Sequence, residues 1–130
     1  MKFAYTIIYV ENVPMTVEQW SSCLGFELSY LHEDQIYAEL ISGETTIAFA
    51  QIEFGRSHFD DADTQAIFDR PLGRFEIGLC TDDVSTAYRH AIEHGMNAAK
   101  PPMTQPWGQE VAWIVDLNGI LVELSSPAEA

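Results

Sequence analysis

The sequence predicts an α+β fold made of two successive βαβββ modules. Stretches of β-branched and aromatic residues alternate with apolar residues at helical spacing, and turn residues separate them. The same order of elements then occurs a second time along the chain. The 130 residues suit one domain, 1–130, in which we predict module one at 1–52, a linker at 53–72 and module two at 73–127.

Module one begins with a strand at 3–10, which is rich in β-branched and aromatic residues. Asn12 is a typical helix N-cap, and Pro14 suits the first helical turn that follows it. Gly25 marks the end of this helix, because glycine readily adopts the left-handed conformation found at helix ends. Three further strands are predicted at 26–32, 35–41 and 45–51.

The linker is acidic and lacks a regular apolar period, so we expect little structure there apart from a helical turn at 64–68. Module two then repeats the first order, with a strand at 74–80 and a helix capped by Asp82 or Asp83 and ended by Gly95. Three more strands are predicted at 97–103, 110–115 and 120–125.

Spacing along the chain supports a true internal repeat. Val13 and Val84 both enter a helix after a strand and lie 71 residues apart. Gly25 and Gly95 both end a helix and lie 70 residues apart. Helix starts and helix ends that recur at a nearly constant spacing indicate a duplicated supersecondary unit.

Composition restricts the partners. Six basic and 20 acidic residues give a formal charge of −14. This charge disfavours nucleic acid as a partner and favours cationic ligands. The alternative is that it serves only solubility. No apolar run is long enough for a membrane span, and the start lacks the pattern of a signal peptide, so we expect a soluble, cytoplasmic protein. Cys23 and Cys80 are expected to be two buried, reduced thiols.

The same residues carry a resemblance to a known family. The segment Val13–Phe26, which closes with Leu24-Gly25-Phe26, resembles the vicinal-oxygen-chelate pattern, with Asn12 in place of the usual aspartate. Three later segments resemble the second helix and the closing part of the family: Asp83–Val84, Pro106–Gly108 and Asp116–Gly119. Over nearly its whole length the chain is similar to the glyoxalase/bleomycin-resistance/extradiol-dioxygenase superfamily.

This resemblance implies a mixed sheet that curls around a cleft, the glyoxalase/bleomycin-resistance fold. The family includes metal-dependent isomerases, lyases and dioxygenases, thiol transferases, and drug-binding proteins without a metal, so the fold alone does not choose a function. It also implies a homodimer, with a small-molecule ligand and neither nucleic acid nor membrane as partners.

In metal-bearing members, four strand positions that face the cleft hold the metal, two in each module. In this sequence the resemblance places them at Tyr5, Ala48, Glu76 and Glu123. Ala48 has no donor atom, and a tyrosine phenol, which titrates near ~10, is a poor ligand at neutral pH. A divalent metal needs at least three converging donors, so we expect no metal and no cofactor, although two carboxylates could hold a metal weakly.

Strand alternation predicts which side chains line the cleft. We expect the ligand to contact Tyr5, Ile7, Tyr9, Ala48, Glu76, Cys80, Trp107 and Glu123. Trp107 is included because it lies in a loop that family members often use to contact ligand. The alternative for Tyr5 and Tyr9 is packing inside the fold, and the sequence assigns Trp113 to neither face.

Two functions are consistent with these residues. The first is a metal-free protein that sequesters an aromatic or cationic compound, as bleomycin-resistance-like proteins do in antibiotic resistance. The second is a lyase or isomerase in which Glu76 or Glu123 is the catalytic general base or a weak metal ligand. If the two carboxyls face each other, like-charge repulsion raises the pKa of one. We prefer binding because module one lacks its ligands.

Overall fold

The computed structural model describes residues 1–128, so positions 129–130 of the predicted domain lie outside the described residues. The elements follow in the order β1 (Tyr5–Val10), α1 (Val13–Leu24), β2 (Glu27–Leu31), β3 (Tyr37–Ser42), β4 (Thr45–Gln51), α2 (Ile52–Arg56), α3 (Ala62–Gln65), β5 (Ile77–Cys80), α4 (Val84–Glu93), β6 (Asn97–Thr104), β7 (Glu110–Val115) and β8 (Leu121–Ser125). A 3-10 turn at Ala66–Asp69 follows α3. Within residues 1–128, no helix is long and apolar enough to cross a membrane.

The chain forms two compact units. Unit one comprises Met1–Ser21 and Gly25–Pro71, and unit two comprises Ser22–Leu24 and the residues from Leu72 onward. Each unit holds a four-stranded sheet, in the order β1-β4-β3-β2 in unit one and β5-β8-β7-β6 in unit two. In both sheets the first strand pairs parallel with the fourth, and the other pairs are antiparallel. The predicted α+β fold of two βαβββ modules is confirmed, as two mixed sheets that are not closed.

The two long helices begin in the same way. The Asn12 side chain accepts a hydrogen bond of 3.0 Å from the backbone N–H of Met15, and Asp83 accepts one of 3.0 Å from Thr86. These bonds satisfy amide groups that a helix start otherwise leaves unpaired. Gly25 follows α1 with φ of 76°, in the left-handed conformation that the sequence predicts there.

Each sheet packs one face against its helix. Trp20 of α1 is fully buried, with its ring 5.2 Å from Phe49 and 5.7 Å from Phe26. In unit two, α4 buries Val84 and Ala91 and contacts β6, β7 and β8. Burial of these apolar faces is the main favourable contribution to folding in both units.

The linker is more ordered than the sequence predicts. Arg56 at the end of α2 forms an ion pair of 2.7 Å with Asp69, and its Nη1 donates a 2.9 Å hydrogen bond to the backbone oxygen of Gln65. Phe68 packs edge-on against Tyr9 of β1, with ring centroids 4.8 Å apart. The prediction missed α2, because five residues are too few to show a helical period.

Three strands of unit two differ from their predicted bounds, β8 only in that it begins at Leu121 rather than at 120. β5 begins at Ile77 rather than at 74, and Arg74 has a positive φ of 60°, which interrupts an extended backbone. β6 continues through Pro101 and Pro102 to Thr104. Proline is tolerated there because β6 is the edge strand and its register is already irregular between Lys100 and Met103.

Candidate functional site

A row of four side-chain positions crosses the sheet of unit two. Glu123 of β8 pairs with Gly78 of β5 on one side and with Trp113 of β7 on the other. Trp113 in turn pairs with Lys100 of β6. Paired residues point to the same face of a sheet, and the neighbours of Glu123 on β8, Val122 and Leu124, are buried. The row therefore lies on the face that is turned away from the core.

Trp113 holds a carboxylate at this row. Its indole Nε1 donates a hydrogen bond of 2.9 Å to Oε2 of Glu76, which lies two residues before Gly78. The hydrogen bond between Glu76 and Glu123 raises the pKa of the Glu123 carboxyl above its ordinary value, and burial and the negative charge of Glu76 raise it further. The structure thus brings the two predicted catalytic acids together at this row.

There is open space next to the carboxylate pair. A β-carbon added to Gly78, which pairs with Glu123, would have no heavy atom within 4 Å. In the same unit, a hollow of about 140 Å³ is lined by residues 72–75 and 119–121, which are largely apolar but include Arg74.

A lysine shows that the indole face accepts a cation. The Lys100 Nζ lies 5.8 Å from the centroid of the Trp113 ring, within the range of cation–π attraction. The register of β6 shifts between Ala98 and Lys100, so that Ala99 is an extra residue. This bulge turns Lys100 to the face of Trp113, where regular alternation would not place it.

The predicted contact residues of unit one lie on one sheet face. Tyr5 is 56% exposed, Ile7 and Tyr9 are half-buried, and Ala48 is fully buried. Ile7 pairs with Ala48 just as Gly78 pairs with Glu123, so Tyr5 and Ala48 match Glu76 and Glu123 in register. Packing inside the fold, the alternative role for the two tyrosines, fits Tyr9, whose ring contacts Phe68, better than it fits the exposed Tyr5.

Two further predicted contacts lie away from the core of the protein. Trp107 is 67% exposed, and its Nε1 donates a 2.9 Å hydrogen bond to Gln109 within its own loop. Cys80 is exposed, so the expectation of two buried thiols is wrong for this residue, because strand alternation places it on the open sheet face with Gly78 rather than on the core face. Cys23 is buried, as predicted.

The prediction missed Trp113 and Lys100 as site residues. The turn at Asn118-Gly119 suggests a hairpin but not its register, because counting outward from these two residues pairs Trp113 with Leu124 rather than with its observed partner Glu123. The sequence gives no signal for Lys100 either, since the bulge at Ala99 changes which face the side chain takes.

The donor set does not fit a catalytic metal. In the part of the chain that the structure describes, no group of three or more His, Cys, Asp or Glu side chains is placed to hold a metal ion. Ala48, at one of the four positions that bind metal in the family, offers no donor atom. Glu76 and Glu123 supply two carboxylates, fewer than the three donors that a stable site requires.

Comparison with known proteins decides the family. A family model described as the Glyoxalase/Bleomycin resistance protein/Dioxygenase superfamily matches residues 2–124. The chain belongs to this superfamily. The resemblance that the sequence suggested is therefore confirmed. No match was found among curated protein sequences.

Solved structures of this superfamily share the fold. A superfamily member from Sphaerobacter thermophilus is 24% identical, with a TM-score of 0.73 and 98% of both chains covered. A family enzyme from Burkholderia phytofirmans is 18% identical, with a TM-score of 0.79, and the match covers 95% of this chain and 96% of that one. A glyoxalase-related enzyme from Fulvimarina pelagi is 12% identical, with a TM-score of 0.81, and the match covers 97% and 88%. At these identities the likeness concerns the fold, and function depends on the site.

Proposed function

We propose that this superfamily member is a metal-free binding protein for a small aromatic or cationic compound, held on the open sheet face of unit two. The observation that carries the proposal is the hydrogen bond from Trp113 to Glu76, with Glu123 bonded to the same carboxylate. Ring and acids together offer an apolar surface and a negative charge to one ligand.

Charge favours a cation as the ligand. Among residues 1–128, no lysine, arginine or histidine lies within ion-pair distance of Glu76 or Glu123. The pair therefore keeps its negative charge for a ligand, in a protein whose formal charge is −14. Lys100 above Trp113 occupies one side of the ring and imitates the contact that a ligand cation would make.

Room for the rest of the ligand comes from Gly78 and from the hollow that Phe75 and Leu121 help to line. A flat aromatic group can lie over Gly78, where a side chain would block it. The apolar hollow at 72–75 and 119–121 then accepts a short alkyl or aryl substituent.

The experiment uses 1-methylquinolinium as an aromatic cation and 1-methylnaphthalene as its neutral match, each titrated by calorimetry in buffer with a chelator. We expect the cation to bind more tightly, less so at high salt, and the double variant Glu76→Gln/Glu123→Gln to lose this preference. Trp113→Phe should weaken binding of both compounds. Glu18→Gln, an exposed acid on α1, is the matched control and should bind as the wild type does.

Equal affinity for the cation and its neutral match would refute the charged part of the proposal. Elemental analysis of protein purified without chelator tests the metal-free part. About one equivalent of zinc, nickel, manganese or iron per chain would overturn it.

A second candidate function is a lyase or isomerase that uses the carboxylate pair. It is favoured by the raised pKa of Glu123 and by the indole hydrogen bond to Glu76, which place the two neighbouring carboxyls in different environments. Glu76 would take the proton from a carbon beside a substrate carbonyl, and Glu123 would give its proton to the carbonyl oxygen, forming a neutral enediol. Deuterium exchange from solvent into α-hydroxy carbonyl compounds tests this function. Exchange that Glu76→Gln abolishes would favour the enzyme over the binding protein.

A further inference from the structure

Unit one carries a separate aromatic and acidic cluster on its own open sheet face, made of Tyr30, Tyr37 and Glu39. We propose that this cluster is a second binding site, for the methylated ammonium group of a small organic cation. The cluster shares no residue with the site on unit two, although Ala48 in its floor and Tyr5 and Tyr9 at its ends are among the ligand contacts that the sequence predicts.

A β-bulge brings Tyr30 into the cluster. Leu28 pairs with Leu40 and Tyr30 pairs with Glu39, so Ser29 is the extra residue between two successive pairs. Regular alternation would place Leu28 and Tyr30 on the same face, but the bulge turns Tyr30 to the face of Glu39. Leu40 is fully buried on the core side, whereas Tyr30 is 48% exposed.

Tyr37 fixes the carboxylate. Its hydroxyl donates a hydrogen bond of 2.7 Å to Oε1 of Glu39, and its ring centroid is 6.2 Å from that of Tyr30. Burial raises the pKa of Tyr37 above its ordinary value, and the hydrogen bond and charge of Glu39 raise it further, with smaller contributions from Tyr5 and Tyr30. Two ring faces and one oriented carboxylate thus lie together.

The carboxylate has no basic partner. In the part of the chain covered by residues 1–128, no lysine, arginine or histidine lies within ion-pair distance of Glu39. Its Oε1 is occupied by the tyrosine hydroxyl, so its negative charge is held in place while the second oxygen remains for a ligand. A half-buried, oriented charge of this kind favours a cationic ligand.

Small residues form the floor beside the cluster. Glu39 pairs with Ala48 and Tyr37 with Ala50, both on β4 and both buried. Across β4, Tyr9 closes one end by packing against Phe68, while Tyr5 at the other end remains exposed. A compact group can therefore rest on the alanines between the aromatic side chains.

Methylated ammonium fits these features better than a primary ammonium. A primary ammonium is strongly hydrated and needs acceptors for three N–H groups, but the ring faces offer none. A quaternary ammonium has no N–H donor, sheds water more readily and binds to aromatic faces through charge alone. One nearby carboxylate adds attraction without demanding a hydrogen bond.

The test uses choline as the cation and 3,3-dimethyl-1-butanol as its neutral match, with binding followed by NMR of the tyrosine ring protons. We expect choline to shift the Tyr30 and Tyr37 signals and to bind at least about tenfold more tightly than the alcohol. Glu39→Gln should weaken the affinity for choline about five- to tenfold, and Tyr30→Leu should weaken it about threefold. Tyr37→Phe keeps the ring and should retain affinity within about twofold.

One control separates this site from its surroundings. Glu44→Gln removes an exposed acid in the β3–β4 turn and should bind choline as the wild type does. Far-UV circular dichroism confirms that each variant is folded. Equal binding of choline and the alcohol, unchanged binding by Glu39→Gln, or no shift of the tyrosine signals would each overturn the proposal.

Discussion

Glu39 and Trp113 occupy the same position in the two sheets. Each lies on the third strand of its module, Glu39 opposite Ala48 and Trp113 opposite Glu123. In unit one the acid, Glu39, lies on the third strand and faces an alanine on the fourth. In unit two the acid, Glu123, lies on the fourth strand and faces a tryptophan on the third. One duplicated backbone presents two different arrangements of acid and ring, which is why the units are expected to select different ligands.

The carboxylate pair predicts how stability depends on pH. Because the folded pKa of Glu123 is raised, its shared proton stabilises the folded state below the ordinary pKa of 4.5, and this contribution is lost as the pH rises through the folded value. Glu123→Gln keeps a hydrogen-bonding group but does not titrate. We expect the variant to gain stability relative to the wild type between acidic and neutral pH, by about 0.5 kcal/mol or less because solvent screens the pair.

Urea unfolding at both pH values measures this difference. Glu18→Gln, an exposed acid outside the sheet, serves as the control and should track the wild type. A Glu123→Gln variant that loses stability relative to the wild type on raising the pH would contradict the shared proton.

Gly55 and Gly78 predict opposite effects of the same substitution. A β-carbon at Gly55 would collide with the rings of Tyr9 and Phe68, whereas at Gly78 it would meet open space. Gly55→Ala should therefore destabilise the protein by about 1–3 kcal/mol through overpacking. Gly78→Ala should be neutral or stabilise by about 0.5–1 kcal/mol, because glycine is unfavourable inside a strand. Thermal unfolding compares the two, and a neutral Gly55→Ala would show that Gly55 does not lie against the rings of Tyr9 and Phe68.

Features fixed by local chemistry could be predicted from the sequence. The sequence predicts Asn12 as one cap and leaves Asp82 and Asp83 open for the other, because the cap bond spans only three residues, and the structure selects Asp83. The bulges at Ser29 and Ala99 could not be recognised, since a bulge depends on the pairing of two strands rather than on one segment. Helix α2 was missed for a related reason, because tertiary packing, not periodicity, stabilises so short a helix.

The candidate site was likewise predictable only in part. The internal repeat placed Glu76 and Glu123 at matching positions, and the structure brings them together. Trp113 required the register of a hairpin, and the contact between Tyr37 and Glu39 required knowing which face of β3 is open. Lys100 and Tyr30 lie on the open faces of their sheets only because of bulges. These two side chains are therefore the hardest part of the candidate sites to predict from the sequence.

The two helix caps predict a difference in pH dependence. The hydrogen bonds from the backbone and side chain of Thr86 lower the pKa of Asp83 below its ordinary value. The resulting stability is present above the unfolded pKa and is lost as the pH falls through the folded value. Asp83→Asn keeps the cap acceptor without the charge, so it should be less stable than the wild type at neutral pH and equal to it in acid. Asn12→Ala should cost about 1 kcal/mol at both pH values, because that cap carries no charge. A deficit of Asp83→Asn that persists in acid would contradict the charge effect.

The two cysteines should react with a thiol reagent at different rates, because only one of them is exposed. Cys80 is exposed on β5, while Cys23 is 2% exposed and its Sγ lies 3.3 Å from the backbone oxygen of His94. Because a thiol must be accessible to react, Ellman's reagent should label one thiol quickly in the native protein and the second only after denaturation. Cys80→Ser should abolish the fast phase.

Ligand protection of Cys80 then tests its predicted contact with the bound compound. Cys80 lies two residues along β5 from Gly78, on the same face as Glu123 by strand alternation. Saturating 1-methylquinolinium should therefore slow the labelling of Cys80 severalfold, whereas the neutral match at the same concentration should not. The Glu76→Gln/Glu123→Gln variant supplies the control, since its Cys80 should react at one rate with and without the cation. An unchanged rate in the wild type, with binding verified by calorimetry, would remove Cys80 from the ligand contacts and confine the site to Trp113 and the two carboxylates.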